Sequence, residues 1–136
     1  SEAVLIANRE RLRSRPETLE MARVLLEYLE AHLRARDALA IFANMRAGSA
    51  EEVASRIFEN CKIHGLQGPT VSRVIVREDD QSWYVANLIV PRKRLFQTIQ
   101  EVRSAGGSGV VAVPVAYIFE EEPPRYRRML EALAKE

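Results

Sequence analysis

The sequence predicts an α+β fold in which a ferredoxin-like β-α-β-β-α-β unit follows one long helix and precedes another. Three observations support this prediction. Short β-branched runs alternate with segments whose apolar residues recur every three or four positions. A capping sequence and a glycine pair mark helix ends. The two central strand-like runs are joined by a short polar spacer, which favours an antiparallel hairpin.

The first 38 residues predict a strand and a long helix ahead of the ferredoxin-like unit. The opening run SEAVLIAN has strand character but no neighbouring run to pair with, which indicates a strand that belongs to a larger body. Ser14 and Pro16 mark a helix start, because the fixed φ of proline suits the first turn. The helix continues to about Arg36 and carries one apolar stripe, formed by Leu19, Ala22, Leu26, Leu29 and Leu33.

The first half of the unit, residues 39–116, begins with the short apolar strand LAIFANM. Ser49 and Glu52 then form an S-x-x-E capping box, which predicts the start of a helix. The runs TVSRVIVR and SWYVANLIV follow as the two strands of the hairpin. The apolar face of the helix between them is expected to consist of Val53, Ile57 and Phe58.

The second half of the unit begins at Pro91, which ends the hairpin and can start a helix. Gly106-Gly107 stop that helix, and GVVAVPV supplies the fourth strand. Both helices are expected on one face of a four-stranded antiparallel sheet. Residues 117–136 add a tail with an amphipathic helix, RYRRMLEALAKE. The apolar face of the helix after Pro91 is expected to consist of Leu95, Phe96, Ile99 and Val102.

Composition limits the function of this 136-residue chain. The apolar fraction of 47% is ordinary for a globular domain with a core. The formal net charge is only +1, so no excess of positive charge favours nucleic acid or an anionic membrane as a partner. One cysteine and two histidines exclude an intrachain disulfide and leave no metal-ligand spacing. We therefore expect a cytoplasmic protein without a metal of its own.

The loop GLQGPT, residues 65–70, suits either a ligand site or a turn. A phosphate-binding P-loop is excluded because no lysine follows the second glycine and the loop runs from a helix into a strand. No serine has a histidine placed to activate it, so no catalytic residue is predicted. The adjacent Trp83 and Tyr84 face opposite sides of a strand, which does not suit an RNA-stacking platform. The residues alone indicate a ligand-binding or oligomerising module.

Three stretches occur in a characteristic order: SEAVLIAN, then GLQGPTVS, then VPRKRLFQTIQEVRSAGGSGVVAVPV. Together they resemble the carboxy-terminal part of long-form ATP phosphoribosyltransferase, and the resemblance covers essentially the whole chain. The segments ANMRAGSAEEVASR and YIFEEEPPRYRRMLEAL are most similar to the plant-like branch of that family. The family catalyses the first step of histidine biosynthesis, in which ATP and phosphoribosyl pyrophosphate form phosphoribosyl-ATP and pyrophosphate.

The resemblance implies a division of labour within a glycosyltransferase. Amino-terminal domains catalyse the reaction with Mg²⁺, and their phosphoribosyl-binding loop has no match in this chain. Residues 1–38 would hold a return strand and a connector helix, and residues 39–116 an ACT-like domain that senses L-histidine as feedback inhibitor. The chain alone is therefore expected to be inactive and to have no cofactor. The implied partners are L-histidine, the catalytic domains and further copies of the chain, in the cytoplasm or, in a plant, the plastid.

The resemblance also implies a histidine site. A hydroxyl and loop amides can hold polar groups, aliphatic walls can flank an imidazole, and a glycine lets a ligand approach the backbone. A valine in place of that glycine would fill the ligand's space while suiting the strand. Some family members place an acid at the end of the first strand, where this chain has Asn44-Met45-Arg46. The implied ligand-binding residues are Leu66, Thr70, Ile89, Ser108 and Gly109.

Two alternatives remain open for the function. The chain could be a purely structural oligomerisation domain of the same enzyme, or a stand-alone ACT-like module that binds a small metabolite. The unpaired opening strand argues against the stand-alone module. An alternative interpretation of Thr70 and Gly109 is that they only satisfy the geometry of a strand edge.

Overall fold

The computed structural model describes residues 2–62, 68–77 and 82–135. The chain divides into two compact units, residues 35–116, and residues 1–34 together with 117–136. The sequence-based domain boundaries at residues 38 and 116 stay a prediction. The elements are α1 Arg9–Ser14, α2 Pro16–Ala35, β1 Ala38–Arg46, α3 Ala50–Asn60, β2 Thr70–Val74, β3 Trp83–Pro91, a 3-10 turn Arg92–Arg94, α4 Leu95–Ser104, β4 Ser108–Pro114 and α5 Pro124–Ala134.

The unit of residues 35–116 is built on a four-stranded sheet with the strand order β2-β3-β1-β4. β1 pairs with β3 along its whole length, from Ala38 opposite Pro91 to Arg46 opposite Trp83. β2 pairs with β3, and β4 pairs with β1, so every neighbouring pair is antiparallel. This order, together with the β-α-β-β-α-β succession of elements, confirms the predicted ferredoxin-like α+β fold.

The core of this unit lies between one face of the sheet and helices α3 and α4. Side chains alternate between the two faces of a strand, so every second residue of β1 and β3 points toward the helices. Burying an aliphatic side chain of this kind contributes about 1.5–3 kcal/mol relative to leaving it exposed. The largest fully buried side chains are Ile41, Met45, Val53, Ile57 and Val102.

The ends of α3 and α4 follow the local signals in the sequence. The Ser49 hydroxyl accepts a hydrogen bond from the Glu52 amide at 3.1 Å. The Glu52 carboxylate in turn accepts from the Gly48 amide at 2.7 Å, one residue before the expected partner. After α4, Gly106 has φ +95°, which only glycine adopts readily, and the Gly107 amide donates back into the last turn at 2.8 Å.

Several local predictions for this unit differ from the structure. Phe58 and Phe96, expected on the apolar helix faces, are 60% and 71% exposed. The buried positions of these helices are Val53 and Ile57 in α3 and Thr98 and Val102 in α4, and neither phenylalanine is among them. β2 ends at Val74, since β3 begins at its pairing partner Trp83 and the ladder goes no further. Pro91 ends β3 and is followed by the 3-10 turn rather than directly by the α-helix.

The second unit contains a short helix that the sequence analysis missed. Residues 2–8 have no strand in the structure, because they pair with no strand of the described chain and a ladder requires a partner. Asn8 then caps α1, its side-chain oxygen accepting from the Arg11 amide at 3.0 Å. The apolar residues of the opening run remain largely exposed, Val4 and Ile6 among them.

A buried carboxylate joins α2 to the tail within this second unit. Glu30 is 2% exposed and accepts hydrogen bonds from the Arg125 amide at 2.9 Å and the Arg125 guanidinium at 3.1 Å. Arg34 donates to its other oxygen at 3.3 Å. The Ile118 amide also donates to the Ala31 carbonyl at 3.0 Å. These contacts fix the first turn of α5 against α2.

Candidate functional site

Both helices of the sheet-containing unit pack on one face, so the opposite face of the sheet carries no helix of that unit. We call this opposite face the open face. Its residues follow from the strand register and the alternation of side chains. Its two central strands, β3 and β1, are mostly apolar on this face, with Asn87, Asn44 and Arg46 as their charged or amide side chains. The side chains that point to it include Thr70 and Ser72 of β2, Val85, Asn87 and Ile89 of β3, Ala40, Phe42 and Asn44 of β1, and Ser108, Val111 and Val113 of β4.

Three of the predicted ligand-binding residues lie on the open face. Thr70 is directly opposite Asn87 in the β2–β3 pair. Ile89 is two residues further along β3 and therefore on the same face. Ser108 is opposite Asn44 in the β1–β4 pair. The fourth predicted residue, Leu66, lies outside the described residues.

Gly109, the fifth predicted residue, lies at an irregularity in β4. Phe42 pairs with Val111 and Asn44 pairs with Ser108, so two residues of β4 oppose the single residue between them on β1. This is the arrangement of a β-bulge. Gly109 has φ +56°, in the left-handed region, and a Cβ atom there would lie 3.1 Å from the Asn44 side-chain nitrogen.

The geometry at Gly109 corrects the expectation that a valine would suit this strand. A β-branched residue is strongly disfavoured at positive φ, because its Cβ crowds the following carbonyl oxygen. The interpretation as strand-edge geometry is thus supported in part. Glycine is needed for the backbone conformation of the bulge, whatever else this position does.

The predicted site residues fall into two groups at opposite edges of the sheet. Thr70 lies on β2 and Ser108 with Gly109 lies on β4, and β3 and β1 separate these two strands. Three strand spacings amount to about 14 Å. A single free amino acid does not span that distance. One chain therefore cannot offer both groups of residues to the same ligand molecule.

The electrostatics of the open face are almost neutral. Its described strand residues include one cation, Arg46, whose guanidinium carbon lies 4.4 Å from the centre of the Trp83 ring. None of these strand residues is an aspartate or a glutamate. Trp83 stacks with Arg46 on this face while Tyr84 packs toward the core, as expected for adjacent strand residues. Apart from Arg46 and Trp83, the hydrogen-bonding side chains of the described strand residues on this face are therefore hydroxyls and amides.

Asn87 is a residue of this face that the sequence analysis missed. It lies between two predicted residues, with Thr70 across the strand pair and Ile89 on its own strand. Its side-chain oxygen is buried and has no hydrogen-bond partner among the described residues. A signal was present, since Asn87 is the single polar residue in the apolar run VANLIV.

The single cysteine is unsuited to nucleophilic chemistry. Burial, with a smaller effect from Glu101, raises the pKa of the Cys61 thiol to about 11 from an ordinary 9.0. The thiol is consequently protonated at neutral pH, and the thiolate is the reactive form. The adjacent cavity of about 10 Å³ has room for no more than a water molecule. Thr98 and Arg94 line it together with Cys61.

The unit formed by the two chain ends holds an apolar groove of about 790 Å³. Leucines of α1, α2 and α5 line it, and the opening segment contributes Val4 and Leu5. Within residues 2–62, 68–77 and 82–135, no three His, Cys, Asp or Glu side chains come together as metal ligands. None of the helices in that part of the chain has the length and apolar character needed to cross a bilayer.

Comparison with known proteins gives matches over nearly the whole chain. Residues 35–117 match the family model described as HisG, C-terminal domain. ATP phosphoribosyltransferase 2, chloroplastic, from Arabidopsis thaliana is 43% identical over 136 aligned residues, which cover 98% of this chain and 33% of that protein. ATP phosphoribosyltransferase 1, chloroplastic, from the same plant is 40% identical over the same share of each chain. This chain thus spans about a third of the length of these relatives.

Among solved structures, the crystal structure of Arabidopsis thaliana PII bound to citrate is similar, with a TM-score of 0.41 and 19% sequence identity. That match covers 59% of this chain and 78% of the PII chain.

Proposed function

The chain belongs to the HisG C-terminal domain family, and from this premise we propose that it is the regulatory carboxy-terminal part of an ATP phosphoribosyltransferase. That enzyme joins ATP and phosphoribosyl pyrophosphate into phosphoribosyl-ATP and pyrophosphate, the first step of L-histidine biosynthesis. The Arabidopsis relatives are named chloroplastic, which supports a plastid location. Catalysis, and the Mg²⁺ it uses, are assigned to the amino-terminal domains. The 136-residue chain alone is expected to form no phosphoribosyl-ATP.

The regulatory role is allosteric sensing of L-histidine at the open face. The open face offers hydroxyl groups, an aliphatic wall and an approachable backbone. These come from Thr70 on the β2 edge with Ile89 on the adjoining β3, and from Ser108 and Gly109 on the β4 edge. The separation of these two groups across the sheet is the observation that carries the proposal further. Because one chain cannot offer both groups to one ligand, we place the ligand between two copies, with the β2 edge of one copy next to the β4 edge of the other.

Assembly of several copies is the second part of the proposed function. Val111 and Val113 on the β4 edge are 54% and 41% exposed, and Phe42 of β1 adjoins them. Exposed apolar residues that form a contiguous surface are typical of interfaces. A second copy of this chain would cover them and bring the opposite edges together. A ring formed in this head-to-tail manner repeats the same junction around its axis.

Histidine binding at such a junction relies on neutral groups. The described strand residues of the open face provide no carboxylate for the ammonium group of the ligand, so hydroxyl and amide oxygens take its place. Binding is therefore expected to change little with ionic strength, because no ion pair with a protein carboxylate is screened by salt. Isothermal titration with L-histidine at two salt concentrations measures this.

Mixing two blocked variants tests the shared site. Thr70→Tyr fills the β2 group of residues and Ser108→Tyr fills the β4 group, so neither protein alone is expected to bind L-histidine. In mixed oligomers a junction that combines the two intact edges binds again, and random assembly makes about one quarter of the junctions intact. No recovery on mixing would contradict a site shared between copies.

The purely structural function is the second candidate. It is favoured if sedimentation shows an oligomer and calorimetry shows no binding of L-histidine to the unmodified chain. At a hundredfold excess over the dissociation constant, a bound ligand stabilises the folded chain by about 2.7 kcal/mol, which a melting curve detects readily. A monomer that binds histidine would instead favour the stand-alone module.

A further inference from the structure

We propose that Asn87 is a specificity-determining residue of the ligand site, whose side-chain oxygen accepts a hydrogen bond from an N–H group of the bound amino acid. The inference rests on the proposed function and adds a residue to it. Asn87 lies on the open face of β3, the strand next to the edge strand β2. Its chemistry fits the α-ammonium or the imidazole N–H of L-histidine.

The position of Asn87 is the first argument. Thr70 lies directly across the β2–β3 pair, where opposite Cβ atoms are about 4.5–5.5 Å apart. A single donor can therefore touch the threonine hydroxyl and the asparagine oxygen together. Ile89, two residues along the strand on the same face, forms an adjoining wall. Asn87 thus lies beside both predicted residues of this edge, and neither of them supplies an amide oxygen.

The unpaired state of the oxygen is the second argument. Buried polar atoms nearly always have a hydrogen-bond partner, so one without a partner among the residues that the structure describes calls for a reason. The open-face neighbours of Asn87 are apolar on three sides: Phe42 across β1, and Val85 and Ile89 on β3. Only Thr70 is polar, and its hydroxyl makes no hydrogen bond to the Asn87 side-chain oxygen. An aliphatic residue would suit these surroundings better if packing were the sole requirement.

The charge of the open face is the third argument. A cationic ligand group needs acceptors, and the described strand residues of this face include no carboxylate. Side-chain oxygens of serine, threonine and asparagine are then the acceptors that remain. The terminal torsion of asparagine is broad, so the amide can rotate and present its oxygen to an incoming donor. The ligand would satisfy an acceptor that the described part of the chain leaves unsatisfied.

Three variants of the 136-residue chain test this role. Asn87→Leu removes the oxygen and keeps a similar side-chain volume. Asn87→Asp keeps an acceptor oxygen at the same place and removes the amide donor. Ser72→Ala is the matched control, because it removes an exposed hydroxyl from the same face two residues from Thr70. Titration calorimetry with L-histidine and thermal melting without ligand are measured for each variant.

We expect Asn87→Leu to lose about tenfold or more of the affinity for L-histidine, with an unliganded melting temperature equal to or above that of the unmodified chain. Asn87→Asp and Ser72→Ala are expected to retain binding. Unchanged affinity in Asn87→Leu overturns the inference and leaves the proposed function intact. A lower unliganded melting temperature in Asn87→Leu overturns it as well, since the oxygen would then have a structural partner. Absence of binding by the unmodified chain overturns the proposed function and this inference together.

Discussion

Replacement of Gly109 by valine tests the bulge in β4 most directly. The φ of +56° places this residue in the left-handed region, where an L-residue costs about 1–2 kcal/mol and a β-branched one more. The added Cβ would also lie 3.1 Å from the Asn44 side-chain nitrogen, which has to move. We expect Gly109→Val to lower the free energy of unfolding by about 2–3 kcal/mol, at the upper end of the range for strained positions.

Urea unfolding followed by circular dichroism, or thermal melting, measures this loss. For a unit of this size about 1 kcal/mol corresponds to a shift of roughly 4–8 °C in the melting temperature. Ser108→Val is the matched control, because it adds the same side chain one position earlier at an ordinary φ. Gly109→Asn is expected to cost less than Gly109→Val, since asparagine tolerates the left-handed region. A Gly109→Val protein as stable as the Ser108→Val protein would refute the reasoning.

Glu30→Ala is expected to lower the free energy of unfolding by about 1.5–3 kcal/mol, because charge-assisted hydrogen bonds to a buried carboxylate are lost. The control is Glu20→Ala, which breaks an exposed ion pair and should lower the free energy of unfolding by less than about 1 kcal/mol. The Cys61 thiol has a folded-state pKa of about 11 against an ordinary 9.0. Its contribution to stability, about 2–3 kcal/mol, is therefore present below pH 9 and lost as the pH rises through 11. Cys61→Ala should show a correspondingly flatter stability profile over that range. Ser49→Ala removes the cap of α3 and is expected to cost about 1 kcal/mol, while Ser104→Ala stays within about 0.5 kcal/mol.

Equilibrium unfolding checks the last three predictions. Equal losses for Glu30→Ala and Glu20→Ala would mean that the buried carboxylate has no special role in holding α5. If the unmodified and Cys61→Ala proteins lose stability equally between pH 9 and pH 11, ionisation of the Cys61 thiol is not the cause of that loss. A Ser49→Ala protein as stable as Ser104→Ala would show that the hydroxyl does not stabilise the helix start.

The helices and strands could be predicted because their signals are local in the sequence. Features that depend on pairing between distant segments could not be predicted. The start of α3 at Ser49 and the end of α4 at Gly106 depend on hydrogen bonds within a few residues, which a sequence pattern contains. The positive φ of Gly109 arises from a register shift between β4 and β1, which a single strand does not reveal. For the same reason the exposure of Phe96 was missed, because the rotation of a helix on its sheet depends on partners far along the chain.

The candidate site shows the same limit. Thr70, Ile89 and Ser108 were expected to lie together. They were assigned from positions in the family's sequence, which give no distances between the residues. The order of the strands separates them by the width of the sheet. Asn87 was visible as a polar residue in an apolar strand, but its unpaired oxygen depends on the side chains that adjoining strands place around it.

Because β2 and β4 lie at opposite edges of the sheet, the proposed shared site would make binding of the effector depend on protein concentration. Under the proposed site each bound amino acid acts as a cross-link, so ligand and assembly favour one another by mass action. Ligand binding would favour association of the copies by a certain free energy. Association would favour ligand binding by the same free energy. A sample diluted below its assembly threshold would lose its response even at a fixed effector concentration. The fraction of occupied sites would then depend on the concentration of the protein as well as on that of histidine.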